Sequence, residues 1–208
     1  MAMGMQRWPR RRFLGVFCAI PTLVAGGCAL DPRNLADAIN AINASFRAEY
    51  EAILKENGTR VFKVARAEAY DAIRVSVARL GMMVETQDPV LGYVNVHAPA
   101  PLPLNEREWR EAAEADLPRA REIIGPYVGL FSHFFKFEPE GLEVVIGGTV
   151  VEVPTGVAVS YTARMRETAP PKSGVPRREY LPPTAVRLGL DKLWRELQRE
   201  FDATYRRR

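Results

Sequence analysis

The sequence predicts an α+β fold in which an antiparallel β-sheet curls around helices, a helix-grip-like arrangement, and three stretches carry that expectation. Val157, Val159, Tyr161, Ala163 and Met165 alternate with Ala158, Ser160, Thr162, Arg164 and Arg166, the period of two that marks a strand buried on one face only. Val186, Leu190, Leu193, Trp194, Leu197 and Phe201 recur instead at helical spacing, with Arg187, Asp191, Arg195, Glu196 and Arg199 on the remaining surface. Residues 82–86 and 91–98 are apolar segments separated by a short turn containing Gln87-Asp88-Pro89, a connection that suits a hairpin.

Each further element has a local reason. Asp31-Pro32 suits a helix start, with a capping carboxylate followed by a ring that needs no N–H partner. Leu35, Ile39, Ile42, Phe46 and Ile53 then repeat at helical spacing until Asn57-Gly58 supplies a stop. That N-terminal amphipathic helix has three readings: it lies on a membrane, pairs with another helix, or joins its own domain. Residues 59–64 are rich in β-branched and aromatic side chains and read as a strand. Residues 67–80 read as a helix with Tyr70, Ile73, Val77 and Leu80 as its apolar stripe and Gly81 as its stop. Residues 98–104 hold three prolines and read as a linker. Asn105 and Glu108 are spaced as a capping box for a polar helix through Trp109 and Ala113, which Pro118 is expected to break or restart before Ile123 and Ile124. The aromatic run 131–137 is expected to form a strand, and Leu142, Val144 and Ile146 another, with a bulge or bend at Gly147-Gly148. Residues 169–183 read as a solvated loop before the long terminal helix, whose closing Arg206-Arg207-Arg208 complements the helix dipole.

The first 28 residues carry a different message. Arg7, Arg10, Arg11 and Arg12 precede an apolar run over residues 13–24, which ends in Ala25-Gly26-Gly27-Cys28. This is the layout of an export signal, and the run is well short of the roughly 20 residues that span a bilayer. Small residues ending at a cysteine resemble the lipobox of bacterial lipoproteins. The resemblance implies cleavage before Cys28, a covalent diacylglycerol on its sulfur and an acyl chain on its new amino terminus. With Ala29 and Leu30 next in the chain, it also implies residence in the outer membrane, anchored by lipid and facing the periplasm. Arg10, Arg11, Phe13 and Leu14 resemble a twin-arginine signal as well, and the general secretory route stays open beside it. The expected division is a cleaved segment 1–27, a lipid-anchored helix or tether 28–58 and a single α+β domain 59–208.

Removing residues 1–27 takes away four arginines and no acid, so 25 basic residues face 25 acidic ones. A near-neutral chain argues against a broad nucleic-acid footprint. Cys18 and Cys28 are the only cysteines; with one discarded and one acylated, no disulfide, thiolate nucleophile or cysteine metal site is left.

The run Ala69-Tyr70-Asp71-Ala72-Ile73, through Leu80-Gly81-Met82-Met83-Val84-Glu85 to Asp88 and Gly92-Tyr93-Val94, resembles the BamC/NlpB-type helix-grip domains of proteobacterial lipoproteins. It covers residues 69–94, 26 positions, and bears on the fold more than on the role. His97 and His133 have no second ligand at metal spacing, and Glu106, Glu108, Glu111, Glu114 and Asp116 read as the wet face of a helix. No Gly-rich phosphate loop or nucleophile elbow is present. The expected role is therefore non-enzymatic, with no metal or dissociable cofactor: an envelope assembly or maintenance factor that binds a protein partner. The alternative is a carrier holding lipid or a small apolar ligand between sheet and terminal helix. Phe131, Phe134, Phe135 and Phe137 are the candidate partner or ligand surface, and Lys172, Arg177 and Arg178 are a second candidate, for anionic headgroups or cell-wall polymer. Cys28→Ala is expected to release the protein from membranes; continued sedimentation with washed membranes would contradict acylation.

Overall fold

The computed structural model describes residues 31–170 and 174–206; Arg10, Arg11, Phe13, Leu14, Cys28 and Lys172 lie outside the described residues. The chain runs α1 (Pro32–Asn57), β1 (Thr59–Phe62), α2 (Arg66–Arg79), β2 (Met83–Asp88), β3 (Tyr93–Pro99), α3 (Glu106–Val128), a 3-10 helix (Gly129–Phe134), β4 (Leu142–Val153), β5 (Gly156–Glu167) and α4 (Pro183–Arg206). The strands form one antiparallel sheet in the order β1-β5-β4-β3-β2. The α+β class expected from the sequence is the observed one.

Alternation decides which face is covered. Val94, Val96, Ile146, Val159 and Tyr161 point inward and share one buried cluster with α1, α2, α3 and α4. On the other face Val61, Met83 and Val151 are exposed. Trp194 of α4 is the central tie: its ring lies 4.6 Å from Tyr161 of β5 and 6.2 Å from Phe62 of β1. Its indole N–H donates to the Asn57 carbonyl at 2.8 Å, and the Arg60 guanidinium sits over the ring at 4.8 Å. One side chain thereby connects the end of α1 and the last helix to the sheet.

The first helix begins as its residues require, with the Asp31 carboxylate accepting the Arg33 N–H at 2.9 Å and Pro32 in the first turn. Gly58 stops it for a different reason from the usual one. Its φ is −80°, and a Cβ there would lie 2.3 Å from the Leu54 carbonyl oxygen, so close approach and not left-handed backbone demands glycine. Ala38, Ile42, Phe46, Tyr50 and Ile53 are buried in the common core, so α1 packs into its own domain.

Three expectations are corrected. Pro118 does not break α3, which continues through it to Val128. An interior proline costs about 3 kcal/mol, and burial of Trp109 and Ala112 before it and of Ala120, Ile124 and Val128 after it offsets that cost. Residues 131–137 do not form a strand. Gly129, at φ +56°, ends α3, and the Ser132 hydroxyl donates to the Gly129 carbonyl at 2.8 Å, closing a 3-10 turn. Gly147-Gly148 holds no bulge, since β4 keeps unbroken register with β5 from Leu142 to Val153. The irregularity lies in β2, between Val84 and Thr86. Gly148 instead leaves the space in which α2 meets the sheet, because a Cβ would come within 3.1 Å of Val94 and 3.3 Å of Ile73.

Gly148→Val is expected to cost about 1–3 kcal/mol through overpacking, read as a lower urea midpoint. Gly147→Ala, whose Cβ would lie 2.6 Å from the Thr162 hydroxyl on the open face and turn that exposed side chain aside, is expected to cost less, under about 1 kcal/mol. Equal losses would contradict this account of the pair.

Candidate binding groove beside the first helix

The apolar stripe of α1 begins before the core does. Leu35, Ala38, Ile39 and Ile42 line a groove of about 370 Å³ together with Ile124, Val128, Phe131, Phe134, Phe135, Arg178 and Tyr180. The aromatic run takes its geometry from two backbone conformations in succession. In the 3-10 helix, three residues per turn place Phe131 and Phe134 above one another. Both are exposed, at 42% and 78%, and Leu130 beside them is 81% exposed. Phe135 and Phe137 follow in extended chain, where residues two apart share a side. Phe135 is half-buried and Phe137 only 8% exposed. The four phenylalanines therefore do not form one surface: Phe131 and Phe134 are its rim, Phe135 its wall, and Phe137 belongs to the core.

An aromatic cluster fixes the wall and floor. Phe137 stacks on Phe46 of α1 with centroids 6.0 Å apart and meets Phe135 edge-on at 5.1 Å. Tyr180 contacts Phe46, Phe135 and Phe137 at 6.1 to 6.4 Å. Burial pushes the Tyr180 hydroxyl up to about 12, with Arg178 opposing the shift, so this wall is uncharged at neutral pH.

The segment carrying Tyr180 is strapped to α1 and is not the loose loop its composition suggests. Asn43 donates to the Arg177 carbonyl at 3.1 Å and accepts the Glu179 N–H at 3.0 Å. Arg47 meets Glu179 at 2.6 Å, and the buried Tyr50 hydroxyl bonds both backbone groups of Leu181. Arg178 is tied to Glu167 through its backbone N–H at 3.1 Å and its guanidinium at 2.9 Å. This pairing already engages the guanidinium that the sequence offers for anionic headgroups.

Several of the remaining polar candidates tie elements of the fold together. On the open sheet face, His97 Nδ1 lies 2.5 Å from Glu143, which also receives Arg166. These two partners hold the Glu143 carboxyl below its ordinary range. Arg166 reaches Glu85 at 3.5 Å, and Glu85 accepts from Asn95 at 2.7 Å, so the network stitches β2, β3, β4 and β5. His133 is exposed. Of the five candidate acids on α3, Glu108 closes the capping box with Asn105 and meets Lys192 at 2.5 Å. Burial raises its pKa, but the lowering by Lys192 and the Asn105 N–H prevails. Asp116 accepts the Thr184 N–H at 2.7 Å and its hydroxyl at 2.9 Å, which caps α4. Among the described residues no group of three or more His, Cys, Asp or Glu is placed to hold a metal ion. A wider, open cleft along α3 is bordered by charges of both signs, among them Arg110, Lys136, Glu106 and Glu138.

Comparison with known proteins gave no matching family model, no matching curated protein and no matching solved structure.

Phe137→Ala is expected to destabilise the fold by about 3–5 kcal/mol, as truncation of a buried aromatic does. Phe134→Ser should stay within about 0.5 kcal/mol of the parent. Chemical denaturation of the two variants checks this, and a large loss for Phe134→Ser would place that ring in the core.

Proposed function

We propose that this chain is a lipoprotein held by Cys28 on the periplasmic face of the outer membrane, and that it acts without catalysis. In this reading the groove beside α1 receives an apolar segment of an envelope protein partner during assembly or maintenance of the envelope. One observation carries the reading: the groove is lined by the first three turns of α1, and that helix starts four residues after Cys28. The apolar surface and the expected anchor thus belong to one end of the molecule. Half-buried Leu35 and Ile39 on α1 face two exposed rings across a floor that includes buried Ala38 and Ile42, a shape that suits an apolar segment laid into a groove. No helix among the described residues is long and apolar enough to cross a membrane, so membrane residence rests on acylation in this proposal.

A carrier would need room between the sheet and α4. The cavity there, lined by Leu104, Val144, Leu190 and Leu193 among others, amounts to about 20 Å³, space for about one water molecule. That filled core supports partner binding over ligand transport.

Site-specific photo-crosslinking in intact cells tests the proposal. A benzophenone-bearing residue in place of Ile39 or Phe131 is expected to give a discrete cross-linked species. The same residue in place of Val151, on the open sheet face, should give none. Identical products from all three positions, or none from the groove, would contradict the proposed site.

A further inference from the structure

The 3-10 helix exposes more apolar surface than a groove needs. Leu130 is 81% exposed and, unlike Phe131 and Phe134, does not line the groove; Phe134 is 78% exposed at its rim. Tyr127, at the end of α3, adds a partly exposed ring. From Ile123 to Phe137 the chain carries no carboxylate, and its ionisable side chains are Tyr127, His133 and Lys136. A water-facing tip that is apolar, aromatic and free of acids matches the chemistry of the bilayer interface. There, ring and aliphatic side chains settle at the headgroup–acyl boundary and cations meet anionic lipid.

Chain geometry places the expected anchor beside this tip. Three residues from Cys28 to Asp31 span at most about 11 Å, and Leu35, the first groove residue of α1, lies about 6 Å further along the helix axis. Leu35 and Phe134 line the same groove. An acylated Cys28 would hold this end of the domain near the membrane, with exposed Arg33 at the same end.

We infer that the 3-10 helix is a membrane-contact tip: Leu130 and Phe134 enter the interfacial layer of the leaflet that holds the Cys28 lipids. This rests on the acylation proposed above. The tip adds a second, directional contact to the lipid anchor, so the domain is oriented and not merely tethered. In that orientation the groove opens along the membrane surface, where Ile39 and Phe131 meet an apolar segment leaving the bilayer.

The test uses the acylated full-length mature protein in vesicles of phosphatidylethanolamine and phosphatidylglycerol that contain nitroxide-labelled lipid. An environment-sensitive fluorophore is attached in turn to Leu130→Cys, Phe134→Cys and Val90→Cys. Val90 serves as the control because it is also 81% exposed and sits in the β2–β3 turn. Emission from positions 130 and 134 is expected to shift to the blue and to be quenched several-fold more than emission from position 90. Equal quenching at the three positions, or none, would overturn the tip while leaving the anchor intact. The intact mass, measured first, separates the two failures: a bare Cys28 would overturn acylation and the tip together.

Discussion

The contact on which the groove end depends is the aromatic cluster of Phe46, Phe135, Phe137 and Tyr180. These rings come from α1, from the extended segment after the 3-10 helix and from the strap before α4. Their edge-on and stacked contacts, each of about 0.5–1.5 kcal/mol beyond simple burial, bring three remote pieces of chain to one place. With that cluster set, Phe131 and Phe134 are left outside it, and Leu35 and Ile39 of α1 stay half-buried beside them. The groove is what remains between helices after the core beneath it is filled.

The other end of the domain is held by a different device. Trp194 binds the last helix to the end of the first helix, to the edge strand β1 and to β5. Together these two aromatic centres make the helix after Cys28 part of the domain and not a spacer hanging from it. If lipid holds Cys28, the rigid body therefore starts almost at the membrane surface. That closeness gives the exposed tip its meaning: an apolar 3-10 helix far from an anchor would be a solubility liability, whereas beside one it is a contact.

Much of this fold was legible in the sequence because much of it obeys a single period. The strand from Val157 to Met165, the stripe from Val186 to Phe201 and the capping box at Asn105 and Glu108 each follow from local rules, and each is observed. The misreadings share a physical cause. The aromatic run has neither the strand nor the α-helix period, and its form was set by Gly129 and the Ser132 hydroxyl, which pattern counting does not weigh. Pro118 was outvoted by burial on both sides of it. Asn43, Tyr50 and Asp116 pair with residues 68 to 136 positions away, so no local window could reveal the strap or the cap of α4. For the candidate site, the aromatic run was visible, whereas its division into rim, wall and core required the tertiary structure.

Hydrogen–deuterium exchange on the acylated protein, compared between native outer-membrane vesicles and detergent solution, tests the account most directly. It predicts slower exchange in the membrane confined to residues 35–42 and 127–135, the groove stripe and the tip. Protection centred instead on the open sheet face, at residues 59–62, 83–88 and 145–151, or no difference between the two states, would contradict it.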